Sequence, residues 1–352
     1  MNVSPSRVIT KERFNTKCFR VRIMIFVNGV RFLSDSSPVE GVIALLEHPD
    51  LVSASRTFCA IPEKKFSVSE ESGSQAKCVY VFQREYATAD PSLVELVGTD
   101  EATTCVGIVI RNCTSGMTSI GHLDSPKVVD IGLSQMLSLV SDSDDDAILD
   151  VHLVGAFEDS APQGNDDTGY SFPLCMKIVE KLAESKVKFE IRNFQVLKHN
   201  TRWDSEGNAY PIFHGLLVET SNGRVVPGSF DASTRCPDEI IRRIRLGASF
   251  GHGPPRLLDT YQTQTDRFLI PPFSWTMQQL RFASVMRHCS DLEILLTTST
   301  SPSAEGPDFV ATQKRVWEYL IQHPDWKETF PSKLPRVFQR IESGNWSLSS
   351  ER

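Results

Sequence analysis

The apolar residues of this chain recur at two spacings, and each spacing predicts one type of element. Apolar positions three and four residues apart predict amphipathic helices, whereas short runs rich in Val, Ile and Phe predict β-strands. The predicted helices span residues 38–48, 128–140, 172–184, 237–247 and 309–322. The predicted strands span residues 24–32, 77–84, 96–111, 117–124, 148–157, 187–197, 210–220 and 225–230.

This succession of elements predicts a single α+β domain over residues 24–342, because the chain has neither internal repeats nor a low-complexity linker. We expect largely antiparallel β-sheet layers covered by helices. Residues 1–23 carry six Lys and Arg against one Glu and lack apolar periodicity, which predicts a disordered leader; organelle transit peptides have a similar composition. Residues 343–352 are predicted to be a disordered tail.

Charge and cysteine usage exclude several partners. The net charge is -7 and the pI is about 5.7, whereas nucleic acids call for a concentrated basic face, so we predict no nucleic-acid partner. No stretch approaches the ~18 apolar residues of a membrane helix, so we predict no membrane partner. The eight cysteines are scattered without zinc-site spacing. The sequence therefore predicts reduced thiols in a cytoplasmic or nuclear protein, with no metal and no other cofactor.

The candidate chemistry lies in a predicted antiparallel hairpin. Its two strands flank the turn formers Asn112, Thr114, Ser115 and Gly116. If the loop is centred between residues 113 and 114, Cys105 lies directly opposite His122. Opposed residues in an antiparallel pair have Cβ atoms roughly 4.5 to 5.5 Å apart, so the thiol and the imidazole would lie within reach of a hydrogen bond.

A thiol beside an imidazole predicts a cysteine nucleophile. An imidazolium lowers the pKa of the thiol from ~8.5 by stabilising the thiolate, which is the attacking species. Thr99, six residues before Cys105, is predicted to orient the imidazole through its hydroxyl, the role of a third triad member. The alternative is that Cys105 is an inert core residue, because Cys is among the most buried residue types.

Three residues beside the nucleophile are candidates for substrate binding. Asp100 and Glu101 are acids that could pair with a substrate ammonium, although turn carboxylates are also often merely solvated. Thr104 immediately precedes Cys105 and is predicted to contact the substrate. Backbone N–H groups of the turn at residues 102–105 are candidates to hold a developing oxyanion.

Several motifs together resemble a known family. They are Gly98-Thr-Asp-Glu-Ala-Thr-Thr-Cys105, His122-Leu-Asp124, Val151-His-Leu-Val-Gly-Ala-Phe157, Pro272-Phe-Ser-Trp275 and Thr300-Ser-Pro-Ser-Ala-Glu305. In this order, over roughly residues 24–330, they resemble protein N-terminal asparagine amidohydrolase. More distantly, the spacing of Thr99, Cys105 and His122 is similar to the triad of the chemotaxis-receptor glutamine deamidases, which implies their Cys-His deamidase scaffold.

The resemblance implies a reaction and a substrate. The family hydrolyses the side-chain amide of an N-terminal Asn to give N-terminal Asp and ammonia, and its product feeds the N-degron pathway of ubiquitin-dependent degradation. The nucleophile is the Cys after Ala-Thr-Thr, here Cys105, and the implied partners are proteins or peptides beginning with Asn. Two alternatives stay open, a non-catalytic module that recognises N-terminal residues and, with less support, a cysteine peptidase.

Overall fold

The helices of the protein cover the faces of its β-sheets. A computed structural model describes residues 24–32, 37–67, 76–141, 147–159, 169–249 and 253–349. The predicted leader, residues 1–23, lies outside these ranges. Within them the α-helices are α1 (Pro38–Glu47), α2 (Pro49–Cys59), α3 (Val129–Leu137), α4 (Ser171–Glu184), α5 (Glu239–Ser249), α6 (Met277–Met286), α7 (Asp291–Thr298), α8 (Phe309–Gln322) and α9 (Trp326–Thr329).

The strands of the described chain form three larger sheets and one isolated hairpin. They are β1 (Ile25–Val27), β2 (Val30–Arg31), β3 (Lys64–Phe66), β4 (Cys78–Tyr80), β5 (Glu85–Ala89), β6 (Leu96–Thr99), β7 (Val106–Asn112), β8 (Thr118–Leu123), β9 (Ile148–Gly155), β10 (Lys188–Gln195), β11 (Thr201–Trp203), β12 (Ala209–Pro211), β13 (Leu216–Glu219), β14 (Arg224–Phe230), β15 (Leu258–Asp259), β16 (Tyr261–Gln262), β17 (Arg267–Ile270), β18 (Arg336–Arg340) and β19 (Trp346–Leu348).

The largest sheet has eight strands in the order β15-β5-β8-β7-β9-β10-β1-β2. Its centre is antiparallel, whereas β9, β10 and β1 run parallel to one another. One face packs against α1, α3 and α4, because alternate residues of each strand are apolar and meet the apolar stripes of these helices. Ile108 and Ile110 of β7 belong to this core. The architecture is therefore α+β, as predicted.

The opposite face of this sheet packs against a second, five-stranded sheet. Its order is β3-β14-β13-β6-β4. Val109 and Ile120 of the large sheet share one apolar core with Val97 and Leu216 of the smaller sheet. Because side chains alternate between the two faces of a strand, His122 lies on the same face as Ile120 and points towards the smaller sheet. The candidate site therefore lies between the two sheets.

The hairpin of β7 and β8 has a different register from the one predicted. Gly107, and not Cys105, pairs with His122, so the predicted alignment was wrong by two residues. The reason lies in the turn. The side chain of Asn112 accepts hydrogen bonds from the backbone of Thr114 and Ser115, and Gly116 takes a φ of +78°. These contacts move the centre of the loop towards its C-terminal side.

The C-terminal tail is ordered over residues 343–349, so the prediction of disorder there was wrong. β19 pairs with β18 in a four-stranded sheet, β16-β17-β18-β19. The Trp346 ring meets Phe268 edge-on at 4.7 Å between centroids and lies 4.0 Å beneath the guanidinium of Arg340. One aromatic residue in a polar tail supplies this packing, which the apolar periodicity of the sequence does not reveal. Residues 350–352 lie outside the described ranges.

Candidate active site

A hydrogen bond between the two stacked sheets holds the His122 ring. The Thr99 hydroxyl lies 2.8 Å from His122 Nδ1 and donates its proton to the carbonyl of Val81 at 2.7 Å. A hydroxyl has a single proton, so Thr99 must accept the hydrogen bond from His122. This assigns the imidazole proton to Nδ1 and leaves the lone pair on Nε2. The contact predicted between Thr99 and His122 is present.

His122 Nε2 is buried and has no hydrogen-bond partner among the described residues. A buried polar atom without a partner is uncommon, because desolvation is costly, and such atoms mark functional sites or bound molecules. Burial lowers the pKa of His122 to about 4, although the nearby charge of Asp124 opposes the change. The ring is therefore neutral at physiological pH and presents an unprotonated nitrogen.

Cys105 lies immediately before β7, the strand that pairs with the strand of His122. It precedes Gly107, the cross-strand partner of His122, by two residues. Diagonal neighbours in a regular antiparallel pair have Cβ atoms about 7 Å apart. Gly107 leaves room for Thr99, since a Cβ at Gly107 would approach Thr99 Cγ2 to 3.1 Å. Among the described residues His122 Nε2 has no hydrogen-bond partner, so the predicted hydrogen bond between the Cys105 thiol and the imidazole is not formed in this structure.

The backbone around Cys105 is fixed by the end of β9. The Cys105 carbonyl accepts a hydrogen bond from Ala156 at 2.7 Å, and Gly155 takes a φ of +120° beside it. A Cβ on Gly155 would lie 2.5 Å from the Cys105 carbonyl oxygen, so only glycine fits. Cys105 is thereby held between the end of β9 and the start of β7 in the large sheet.

The protonation state differs from the predicted thiolate and imidazolium. Burial raises the pKa of the Cys105 thiol far above its usual range, and the charges of Asp124 and Glu305 raise it further, while Arg84 opposes them. Both partners are therefore neutral in the free protein. The physical reason is that a closed apolar site disfavours charge on either group.

The turn before Cys105 offers free backbone donors. Ala102 donates its N–H to the carbonyl of His214 at 2.8 Å, so it is not available for an oxyanion. In the described structure, the N–H groups of Thr103, Thr104 and Cys105 have no acceptor. Glu101, at a φ of +61°, gives the turn its shape. Three of the four predicted oxyanion donors thus stay open.

A distant loop closes over this turn. The Thr104 hydroxyl lies 3.0 Å from that of Thr300, and the Ser301 hydroxyl donates to Thr103 at 2.8 Å. His214 Nε2 lies 3.1 Å from the Ala304 carbonyl, which ties the same loop to the smaller sheet. Thr104, a predicted substrate-binding residue, therefore bonds to the loop and shapes the site wall.

Asp100 and Glu101 are both engaged by other groups. Asp100 is almost fully buried and accepts hydrogen bonds from Tyr80 at 2.5 Å, Phe230 N–H at 2.8 Å and Arg235 at 3.1 Å. Glu101 pairs with the guanidinium of Arg235 at 2.8 Å and with that of a second arginine, Arg243, at 2.9 Å. These contacts neutralise both carboxylates, so the geometry does not support either as the principal receptor of an ammonium.

A pocket of about 200 Å³ lies beside the turn. Among its lining residues are Thr103, His214 and Glu305. Glu305 is half-buried and accepts a hydrogen bond from the Ser299 hydroxyl. Burial raises the pKa of its carboxyl to about 7, and the charge of Glu101 adds to the rise. The hydrogen bond from Ser299 acts in the opposite direction and lowers this pKa. No Lys or Arg in the described ranges forms an ion pair with Glu305, which leaves it open to a cationic ligand.

Asp124, whose charge also acts on the Cys105 thiol, is held in place by Arg84. The Arg84 guanidinium lies 3.0 Å from the Asp124 carboxylate, and both side chains are largely buried. Gln83 donates a second hydrogen bond to Asp124 at 3.2 Å. The two carboxylates that act on Cys105 are therefore of different kinds: Asp124 is paired with a cation, and Glu305 is not.

The described residues contain no group of three or more His, Cys, Asp and Glu side chains arranged to hold a metal ion. Within the same ranges, none of the helices has both the length and the apolarity that crossing a membrane requires.

Comparisons with known proteins show the family of the chain. Residues 68–348 match the family described as protein N-terminal asparagine amidohydrolase. The Arabidopsis thaliana protein of that name is 48% identical over 344 residues, covering 92% of this chain and 99% of the relative. The human protein of that name is 29% identical over 278 residues, covering 77% and 84%. The mouse protein is 29% identical over 333 residues, covering 93% and 98%.

These matches first define a class of enzyme, because every relative named here is an amidohydrolase. Within that class, the chain belongs to the protein N-terminal asparagine amidohydrolase family. The resemblance noted in the sequence is confirmed at the level of the family.

The sequence did not single out Glu305, His214 or Arg235 as site residues. Glu305 is 200 residues from Cys105 in the chain and reaches the site only through the fold. The sequence feature that could have indicated Glu305 is its position at the end of the motif Thr300-Ser-Pro-Ser-Ala-Glu305, which contributes to the family resemblance. Arg235 lies in none of the motifs described above. Its ion pairs with Asp100 and Glu101 therefore could not be predicted from the sequence.

Proposed function

We propose that this protein hydrolyses the side-chain amide of N-terminal asparagine in proteins and peptides, with Cys105 as the nucleophile. The observation that carries the proposal is the fixed tautomer of His122, which leaves a buried, unpartnered Nε2 on the residue opposite Gly107, two residues after Cys105. A recognition module would need neither a base with a free lone pair nor a thiol beside it. Family membership supports the same reaction.

In the first half of the reaction, the thiol proton moves to His122 Nε2 while the sulfur attacks the carboxamide carbon. The tetrahedral oxyanion is stabilised by the free N–H groups of Thr103, Thr104 and Cys105. His122 then gives the proton to the departing nitrogen, and the C–N bond breaks. The products of this half are ammonia and a thioester on Cys105.

In the second half, water replaces the sulfur. His122 Nε2 accepts a proton from the water as its oxygen attacks the thioester carbon, and the returned thiol takes that proton when the C–S bond breaks. The net change is an amide and water converted to a carboxylic acid and ammonia. Thr99 keeps the ring in one tautomer throughout, so Nε2 is available in both halves.

The same site accounts for selection of a chain terminus. We infer that Glu305 binds the α-ammonium of the substrate, since it is the half-buried carboxylate of the pocket that lacks a cation. With the ammonium at Glu305 and the carboxamide at Cys105, an extra methylene misplaces the carbonyl by about 1 Å, which can cost on the order of 10²-fold in rate. N-terminal Gln should therefore react poorly.

The proposal extends to the wider setting of the enzyme. Conversion to N-terminal Asp would feed ubiquitin-dependent degradation through the N-degron pathway, in the cytoplasm, the nucleus or both. The scattered reduced cysteines support this compartment. We also propose that the arrangement of Thr99, Cys105 and His122 parallels the scaffold of the chemotaxis-receptor glutamine deamidases. The hydroxyl-to-imidazole contact supports this comparison.

Ammonia release from four matched peptides tests the proposal. They begin with Asn, with Gln or with acetylated Asn, or carry Asn at an internal position. We expect rapid release only from the first, because an acetylated or internal residue has no ammonium for Glu305. Comparable rates on the acetylated or internal peptide would contradict the selection of a terminus. No release from any of the four would contradict the reaction itself.

A further inference from the structure

A basic groove opens beside the candidate site and has no assigned role. Its volume is about 760 Å³. The cations that line it are Arg84, Lys127, Arg245 and Arg256, and no carboxylate is among the described residues that line it. In a chain with a net charge of -7, a groove lined in this way is not explained by overall composition.

Three of these cations form no ion pair within the described part of the chain. Arg245 donates its hydrogen bonds to the Asp259 carbonyl and the Thr260 hydroxyl, which are neutral acceptors. Lys127 and Arg256 are exposed. Arg84 is the exception, since it pairs with Asp124. Burial lowers the pKa of Arg245, the positive charges of Arg242 and Arg256 add to that lowering, and the carboxylates of Glu85 and Asp259 oppose it.

The distance of the groove from the site follows from the sheet. The Arg84 N–H donates to the His122 carbonyl at 2.9 Å, and the Arg84 carbonyl accepts from Leu258, a groove residue, at 2.7 Å. Neighbouring strands lie about 4.8 Å apart, so Leu258 is roughly 10 Å from the His122 backbone. An extended peptide covers ~3.3 Å per residue, so about three residues bridge this distance.

The direction of a bound peptide follows from the residues that line the pocket and the groove. Glu305 lines the pocket of about 200 Å³ and Arg84 lines the groove, and the two share no lining residue, while the charges of Glu305, Asp124 and Arg84 all act on the Cys105 thiol. With the substrate ammonium at Glu305, the rest of the chain leaves towards Arg84 and enters the groove.

We propose that this groove binds an acidic segment of the substrate, beginning roughly three residues after the N-terminal Asn. The inference rests on the proposed function and adds a preference among its substrates. Exposed pairs contribute modestly, and several together should raise kcat/KM about fivefold at low salt, an effect that screening removes at high salt.

The test compares two peptides that begin with Asn and carry either Glu or Gln at roughly the fourth to sixth positions. We expect the wild type to favour the Glu peptide about fivefold, mainly through KM, and Lys127→Glu and Arg256→Glu to lose that preference while turning over the Gln peptide normally. Lys186→Glu is the matched control. It makes the same charge change at an exposed position just before β10, whose other end lies near Cys105.

Equal kcat/KM for the two peptides, or a preference that survives both groove variants, would overturn the proposal. Affinities of both peptides for the Cys105→Ala variant give a second readout that does not need turnover. Absence of ammonia from both peptides would overturn the proposed function, whereas the groove would still be judged by the ratio of these affinities.

Discussion

Thr99 and His122 belong to different sheets, and the 2.8 Å contact between the Thr99 hydroxyl and His122 Nδ1 joins them at the candidate site. The Val81 carbonyl completes the arrangement by accepting the hydrogen bond that the Thr99 hydroxyl donates. Stacking of the two sheets therefore sets both the orientation and the tautomer of the base. The catalytic proposal depends on this contact.

Replacing Thr99 with Val should lower kcat by about tenfold to 100-fold with little change in KM, because the imidazole loses its fixed tautomer while the binding pocket is untouched. Thr99→Ser keeps the hydroxyl and should keep most of the rate. Steady-state kinetics on an Asn peptide provides the measurement, and His122→Ala, expected to cost roughly 10² to 10⁴, sets the scale. Equal rates for the Val and Ser variants would show that the hydroxyl has no part in catalysis.

Replacing Cys105 with Ala or Ser should abolish turnover while leaving the melting temperature near that of the wild type, since either side chain fits the same turn. A serine hydroxyl is too poor a nucleophile for this imidazole. Thermal unfolding together with ammonia release measures both effects. Cys175, another fully buried thiol, offers a control: Cys175→Ser should keep its activity wherever it folds. Wild-type activity in Cys105→Ala would remove Cys105 from the mechanism.

The pH profile should report Glu305. Its pKa is raised to about 7, and only its ionised form binds an ammonium, so kcat/KM should fall as the pH drops below about 7. The substrate α-amine loses its proton near pH ~8, which gives the alkaline limb. Glu305→Gln should raise KM and remove the acid limb. An acid limb near pH 4 in the wild type would instead point to His122, whose pKa is lowered to about 4.

Replacing Trp346 with Ala should destabilise the protein by about 2 kcal/mol, because the ring packs on Phe268 and beneath Arg340. Urea unfolding measures the change as a lower midpoint at an unchanged slope. Leu348→Ala, at a half-exposed position of the same strand, is the control and should change stability by less than about 0.5 kcal/mol. Equal midpoints for Trp346→Ala and wild type would mean that β19 contributes nothing.

The sequence was sufficient to predict the hairpin of β7 and β8, because a turn lies between two β-rich runs, and the contact predicted between Thr99 and His122 is present although the two residues belong to different sheets. It was not sufficient for the register, which depends on contacts of the Asn112 and Arg111 side chains around the turn. Arg111, for example, bonds to the Gly116 carbonyl at 2.8 Å and to Thr118 at 2.8 Å. A shift of two residues keeps every side chain on its face, so Cys105 remains two residues from the cross-strand partner of His122.

The partners of the acidic candidates could not be predicted from the sequence. Asp100 and Glu101 lie close to Cys105 in sequence, but Arg235 and Arg243 form ion pairs with them from another part of the chain. Glu305 stays without a cation because the loop from Ser299 places it in the pocket beside a serine hydroxyl. Availability of a carboxylate is a property of the fold, and local spacing does not encode it.

The most direct test of the account is to look for the covalent intermediate. The wild type is mixed with an Asn-initiated peptide, quenched in acid during turnover, digested and mapped by mass spectrometry. We predict an adduct on Cys105 with the mass of the peptide less one ammonia, and none when acetylated Asn is supplied. Continued ammonia release by Cys105→Ala, with the wild-type adduct absent from Cys105 or found on another residue, would contradict the account.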